Sequence, residues 1–225
     1  MVEHENMPGG YESGNKYERL ATQNLNKTIL QCHGTESLDI RLPSPLQLTA
    51  EHLQELESIL QQQEKLSNDW GFKDPRTCLT YPALRPYLPQ HVLILVYRHP
   101  VQVYLHYRNK ATLSKLEKLF MAGKILRSWS LHNRQLLAVF HEQPASCTVI
   151  NFERLMGETQ EWERLAACLQ RPLADARKPA QYQRHAQRNK LVSIADAMFR
   201  LRGTAGPLSI FKTLEQARLS QIPSE

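Results

Sequence analysis

The chain has 225 residues and a mass of 26.0 kDa, which is long enough for one domain with a substantial core. Its net charge is +6 and its isoelectric point is near 9.2, values that suit a polyanionic ligand or simply a basic surface. Lys and Arg are spread along the chain without interleaved aromatic residues or a recognised motif, so the sequence argues against a nucleic-acid partner.

The first ninety residues are expected to contain three helices. Residues 3–15 are polar and contain glycine, which is typical of a loop, and residues 17–31 carry a loose apolar side that predicts a helix. Thr49 is placed to cap a second helix with a regular apolar face. Residues 69–73 predict a short strand that ends before Pro75, and a third, short helix follows it.

The rest of the chain alternates between strands and helices. The segment His91–Tyr97 is rich in Leu and β-branched residues without polar alternation, which is typical of a strand covered on both faces. The further predictions are helices over 101–121 and 123–142, an inner strand over 148–151, a helix after Glu158 and an amphipathic helix over 191–202. This order predicts an α/β protein with a parallel sheet flanked by helices.

The four cysteines, at positions 32, 78, 147 and 168, are far apart and form no C-x-x-C pair. They predict neither a zinc site nor a disulfide framework, and we expect no metal. No apolar run reaches the ~20 residues that span a bilayer, and the amino terminus lacks the form of a signal peptide. The expectation is a cytoplasmic protein without a membrane partner.

An arginine stands at the carboxyl end of the best predicted strand. In open α/β sheets ligands bind where parallel strands end, and the planar guanidinium of Arg98 suits phosphate or sulfate. Arg98, Pro100 and Val103 resemble the Arg-x-Pro-x-x-Val-x-x-Ser pattern with which sulfotransferases bind the nucleotide 3′-phosphate, with His106 in place of Ser. The segment therefore resembles the sulfotransferase family.

Other segments extend this resemblance over most of residues 6–190. Residues 73–76 read Lys-Asp-Pro-Arg, as in the bacterial-type branch of the family, and residues 149–155 are similar to its "Tyr-Glu-Asp-Leu" strand end. Two more pieces are similar, at 10–30 and at 129–133. The resemblance implies a three-layer, P-loop-type fold over residues 1–190, followed by a helical or flexible tail over 191–225.

The family's first strand and its 5′-phosphosulfate loop have no counterpart in this sequence. No G-x-x-x-x-G-K-[ST] pattern occurs, and the early pair Gly9-Gly10 follows no predicted strand. The resemblance thus implies a domain truncated at its amino terminus. Such a domain has an exposed sheet edge through which it would associate.

The resemblance assigns the donor 3′-phosphoadenosine 5′-phosphosulfate to a pocket containing Arg98 and His106. Arg108 or Lys110, about one helical turn further, would add a second positive charge. The acceptor, a hydroxyl or an amine, is not specified by the sequence. No metal is implied.

Lys73 would neutralise the charge that develops on the leaving phosphate, and Arg76 would contact the substrate. For the general base, Glu12 is preferred and Asp74 is second.

Structural alternatives accompany each of these roles. The pattern of Lys73, Asp74 and Arg76 is also compatible with an ordinary loop ion-pair cluster. Arg98 is also compatible with an ion pair to Glu153 or with a helix cap. Glu12 is equally compatible with an ordinary solvated carboxylate, and His106 is equally compatible with a packed helix residue. Two function classes remain: a sulfotransferase, or a non-catalytic protein of the same fold that keeps at most the 3′-phosphate site.

Overall fold

The structure is a computed structural model that describes residues 19–35, 45–66, 70–110, 115–170, 172–175, 177, 179 and 189–222. The chain divides into two compact units, residues 1–89 and residues 90–225, called here the amino-terminal and the carboxy-terminal unit. The predicted boundary at residue 190 remains a prediction.

The amino-terminal unit is helical where it is described. Its elements are α1 (Leu20–Cys32), α2 (Ala50–Leu66), α3 (Thr77–Leu84) and a 3-10 turn (Arg85–Tyr87). Helix α1 packs against both α2 and α3, and the core between them consists of Leu25, Ile29, Leu56, Ile59 and Leu84. The three predicted helices are confirmed. The predicted cap is also found, since the Thr49 hydroxyl accepts a hydrogen bond from the His52 N–H at 3.4 Å.

The predicted strand over 69–73 is wrong in its described part, because residues 70–74 have no regular secondary structure. Asp74 turns the chain into α3 instead. Its side-chain Oδ1 accepts from the Arg76 N–H at 2.9 Å, and its carbonyl accepts from the Thr77 N–H at 3.0 Å. In the described part of this unit no strand is present that could pair with the segment.

The carboxy-terminal unit is mostly helical around a small parallel sheet. Its strands are β1 (Leu93–Tyr97) and β2 (Cys147–Asn151), with a 3-10 turn (Pro144–Ser146) before β2. Its helices are α4 (Pro100–Lys110), α5 (Lys115–Glu142), α6 (Phe152–Gly157), α7 (Thr159–Leu169), α8 (Lys190–Leu201) and α9 (Pro207–Leu219). The mixed α/β class is therefore confirmed.

The two strands run parallel, in register from Leu93 opposite Cys147 to Tyr97 opposite Asn151. All of β2 is buried, but β1 is covered on one face only. The side chains of Ile94 and Val96 on its other face are 42% and 46% exposed. The prediction that β1 is covered on both faces is thus wrong, because among the described elements no layer packs over those two residues.

Helix α5 passes through the predicted break at residue 122 without interruption. The residues Ala122, Ile125, Leu126 and Trp129 are buried at helical spacing, so one continuous apolar face packs into the core. Gly123 lies within this helix, and no neighbouring atom lies within 4 Å of the position that a Cβ would occupy there. Because this apolar face is continuous, the chain forms one helix across residue 122.

The last two helices pack on this unit. Helix α8 contacts α4 and α5, and α9 contacts α5 and β2. Asp196 of α8 caps the first turn of α9, because its Oδ1 accepts from the Leu208 N–H at 2.8 Å. Gly206 is required at this junction, since a Cβ there would lie 2.3 Å from the same oxygen.

Side chains bond to the outer edge of β2, where a third strand would otherwise pair. Gln221 donates to the Cys147 carbonyl at 2.6 Å and accepts from the Val149 N–H at 2.8 Å. The Val149 carbonyl accepts from Arg164 at 2.5 Å, and Glu161 accepts from the Asn151 N–H at 3.3 Å. This satisfied edge allows β2 to be buried without a further strand.

Replacing Gln221 with Ala is expected to lower the free energy of unfolding by about 2 kcal/mol, because it leaves one N–H and one carbonyl of buried β2 without partners. Chemical denaturation measures the loss. The control is Gln216→Ala on the exposed side of α9, which is expected to change stability by less than about 0.5 kcal/mol. Equal effects of the two substitutions would contradict the role given to Gln221.

Candidate functional site

Polar groups meet at the carboxyl ends of β1 and β2. Arg98 and His99 directly follow β1, and Phe152 and Glu153 directly follow β2. Because the strands are parallel and in register, these residues lie at the same end of the sheet. We call the four residues the strand-end site.

Arg98 is held on three sides. Its Nε lies 3.6 Å from Oε1 of Glu153, its guanidinium carbon lies 4.8 Å from the centre of the Phe152 ring, and its carbonyl accepts from the Trp129 indole N–H at 3.1 Å. The side chain is still 32% exposed. Its two terminal nitrogens make no hydrogen bond to any residue in the described part of the chain. The guanidinium is thus positioned by its neighbours and remains partly exposed.

Glu153 joins the two strand ends. Its Oε2 accepts from the backbone N–H of His99 at 3.2 Å, while Oε1 faces Arg98. Burial raises the pKa of this carboxyl group, and the His99 N–H and the Arg98 guanidinium oppose the shift. The Arg98–Glu153 pair that the sequence left as an alternative is therefore present.

His99 begins α4. Its Nδ1 accepts from the Val101 N–H at 3.2 Å, in the manner of an N-cap side chain, and its ring meets Phe211 edge-on at 4.5 Å between centres. Burial lowers the pKa of His99 to about 4, so the ring is neutral at pH 7 and carries its proton on Nε2. Sequence reasoning did not select His99. Its position directly before Pro100, at the first turn of a helix, was the signal that identifies a cap.

A buried ionic network lies under the last residues of the strands. Glu215 of α9 accepts from the Tyr97 hydroxyl and, at 2.6 Å, from the side-chain amide of Asn151. Arg218 lies 3.3 Å from Glu215 and 3.2 Å from Glu161, and its side chain is 5% exposed. The pKa of Tyr97 is raised, first by burial and then by Glu215. These groups pair with one another, so they anchor α9 to the sheet.

The other predicted nucleotide-binding residues lie further along α4. His106 is exposed, and its ring packs edge-on against Tyr107. It stands six residues after Pro100, or about 9 Å along the helix axis. Arg108 and Lys110 are in the last turn of α4, and their side chains lie outside the described residues.

The predicted catalytic residues of the amino-terminal unit occupy the turn before α3. Lys73 is exposed, whereas the side chain of Asp74 is fully buried. Asp74 accepts from the Asn26 amide at 2.9 Å, and from the backbone N–H and the side chain of Arg76 at 2.9 and 3.0 Å. Glu12 lies outside the described residues.

Asp74 is therefore the centre of a structural network. Asn26 also donates to Thr77 at 3.0 Å and accepts from Thr80 at 2.5 Å, so that α1 is joined to the first turn of α3. A carboxylate that is buried and already accepts from several donors is poorly placed to take a proton from a substrate. The ion pair of Asp74 and Arg76 matches the structural alternative for this turn.

No family model matches this chain, and neither a curated protein nor a solved structure matches it. Among the described residues, no group of three or more His, Cys, Asp and Glu is arranged to hold a metal ion. The described helices include none that combines the length and the apolar character needed to cross a membrane.

Replacing Asp74 with Asn is expected to lower the free energy of unfolding by about 2 to 3 kcal/mol. The substitution removes the buried charge that pairs with Arg76, and it places an amide N–H group where the carboxylate accepts hydrogen bonds from Asn26 and Arg76. Denaturant titration measures the change. The matched control is Glu64→Gln on the exposed face of α2, which likewise replaces a carboxylate with the amide of the same size. An Asp74→Asn protein as stable as the parent would refute this structural role.

Protonation of His99 is expected to destabilise the protein at acid pH. Its folded pKa of about 4 lies below the ordinary 6.5, so the unfolded state takes up the proton first and stability falls as the pH drops from about 6.5 to 4. At 1.36 kcal/mol per pKa unit the loss is roughly 3 kcal/mol.

His99→Asn keeps an acceptor for the Val101 N–H and removes this titration, so its stability should vary less than the parent's over that pH range. Denaturation at several pH values tests this, with the exposed His141→Asn as control. Parallel pH curves for the parent and His99→Asn would refute the assignment.

Proposed function

We propose that this chain is a sulfotransferase-family protein that binds 3′-phosphoadenosine 5′-phosphosulfate, with Arg98 as the ligand of the 3′-phosphate. The observation that carries the proposal is the placement of Arg98 at the carboxyl end of a parallel strand, with its guanidinium oriented by Glu153 and Phe152 and its side chain 32% exposed. The three-layer P-loop-type sheet implied by the resemblance forms part of the same proposal.

The residues of the strand-end site fit a phosphate group. A guanidinium donates two parallel hydrogen bonds to phosphate oxygens, which gives both affinity and a fixed orientation. The amino terminus of α4 lies beside Arg98 and adds the positive end of a helix dipole. His99 is neutral and its Nδ1 is bonded to the Val101 N–H, so Arg98 supplies the charge.

Glu153 orients the side chain of Arg98. Its carboxylate holds Nε and leaves the terminal nitrogens of Arg98 for the ligand. A phosphate placed next to a carboxylate is repelled, and the raised pKa of Glu153 reduces that cost because the protonated form is more accessible.

The proposed reaction transfers a sulfuryl group to a hydroxyl or amine acceptor. The bond from sulfur to the phosphate oxygen breaks, a bond from sulfur to the acceptor atom forms, and the acceptor proton passes to a base. By resemblance, Lys73 offsets charge on the leaving phosphate and Arg76 contacts the substrate. Of the two predicted bases Glu12 is retained, since Asp74 is buried in a structural network.

A second candidate function is nucleotide binding without transfer. The environment of Asp74 favours it, because this predicted base already accepts hydrogen bonds from Asn26 and Arg76 and is poorly placed to take a proton from an acceptor. In that case Arg98 holds the 3′-phosphate and no sulfuryl group is transferred.

Replacing Arg98 with Ala is expected to weaken binding of adenosine 3′,5′-bisphosphate by about 10- to 100-fold, because a charge-assisted pair of hydrogen bonds is lost. Calorimetric titration measures the affinity. The exposed Arg127 on α5 provides the control: Arg127→Ala removes the same charge elsewhere and should leave the affinity unchanged. Equal affinities of the parent and Arg98→Ala would refute the proposed site.

The transfer step is tested with the nucleotide donor and a panel of hydroxyl and amine acceptors, by following release of adenosine 3′,5′-bisphosphate. For a sulfotransferase, Lys73→Ala is expected to bind the bisphosphate normally and to release at least 10-fold less product, a loss of about 1.4 kcal/mol in transition-state stabilisation. Binding by the parent without any release would favour the second candidate.

A further inference from the structure

The two outer edges of the β1–β2 sheet differ in their hydrogen bonding. On β2, Gln221, Arg164 and Glu161 satisfy the outward backbone groups. On β1, no residue in the described ranges bonds to the groups that point away from β2. We call this second side of the sheet the open edge.

The register identifies the residues of the open edge. Because Cys147 and Val149 direct their backbone groups outward, Thr148 between them must face β1. Thr148 is in register with Ile94, and a residue in a parallel ladder bonds to the two neighbours of its register partner. The N–H and carbonyl groups of Ile94 therefore point outward, and by the same alternation so do those of Val96.

The side chains along the open edge are apolar and exposed. Val92, Ile94 and Val96 are 55%, 42% and 46% exposed, and neither Lys nor Pro occurs between His91 and Tyr97. Natural proteins usually protect an edge strand with a charge, a proline or a covering element. An unprotected β-branched edge is a surface that pairs with another strand.

We propose that β1 pairs antiparallel with β1 of a second copy of this chain, so that the two sheets join into one sheet of the order β2-β1-β1-β2. The pairing is centred on Leu95, so that Ile94 of one copy lies opposite Val96 of the other. Each such pair exchanges both of its backbone hydrogen bonds. The side chains of the same pairs are both β-branched and meet on the exposed face.

Two features favour a second copy as the occupant. The edge is self-complementary, because a two-fold axis through Leu95 brings Ile94 onto Val96 and Val96 onto Ile94. The opposite edge is already satisfied by Gln221 and Arg164, so pairing ends at two copies and does not continue into a filament. The association is therefore a closed dimer.

The apolar area at the open edge determines the strength of the dimer. Three partly exposed side chains from each copy bury on the order of a few hundred Å², well below the roughly 1,200 Å² of a standard interface. The dimer is accordingly weak, and its population depends on protein concentration in the micromolar range or above.

Sedimentation velocity of the full chain at increasing concentration tests the association. We expect monomer at the lowest concentration and a reversible rise in dimer, without larger species. In a mixture of isotopically labelled and unlabelled chains, filtered nuclear Overhauser spectra should show contacts between the Ile94 methyl groups of one copy and the Val96 methyl groups of the other. Amide exchange of Ile94 and Val96 should slow as the concentration rises.

The variant Val96→Lys places a charge in the middle of the open edge and is expected to weaken the dimer at least 10-fold. Because the side chain is exposed, the fold and its thermal midpoint should be retained. The matched control is Leu201→Lys on α8, at a side chain that is 88% exposed and lies away from the sheet, and it should dimerise like the parent.

Three results would overturn the proposal. One is a parent chain that stays monomeric at all concentrations, and another is a dimer that Leu201→Lys weakens as much as Val96→Lys does. The third is slow amide exchange at Ile94 and Val96 that does not change with dilution, since the edge would then be covered by the same chain.

Discussion

The carboxy-terminal unit depends on the way in which side chains complete a two-stranded sheet. A buried strand must satisfy the backbone groups on both of its edges, and β2 has only one neighbouring strand among the described residues. Gln221, Arg164 and Glu161 supply the missing partners. Because these residues come from α7 and from the turn directly after α9, the same hydrogen bonds hold two helices against the sheet. Burial of β2 and packing of α7 and α9 against the sheet therefore depend on each other.

The strand-end site follows from that arrangement. Burial of β2 brings Glu153 to the end of β1, where it accepts from the His99 N–H and faces Arg98. Burial also raises the pKa of Glu153 and lowers that of His99. The charge at the site is therefore concentrated on one guanidinium that is held in place and partly exposed. Such a group recognises an anion, and the proposed 3′-phosphate site uses this property.

Local patterns predicted most helices and both strands, but their surroundings were predicted less well. The apolar run before Tyr97 identified β1, yet it did not reveal that one face stays uncovered, since coverage depends on other elements. A strand expected over 69–73 is absent because the buried Asp74 turns the chain there. His99 was missed because a histidine between Arg98 and Pro100 carries no local sign of its burial. Cap position was its only local signal.

The sequence by itself determined which segments form strands and helices and where Arg98 stands, because periodicity, β-branching and capping act within a few residues. Tertiary structure alone decided which groups meet Arg98 and which edges of the sheet are satisfied. His99 and Glu153 are 54 positions apart, and Val149 and Gln221 are 72 apart. Hydrogen bonds over such separations depend on how the helices pack, and burial, which sets the pKa values of the site, is a property of the packed unit.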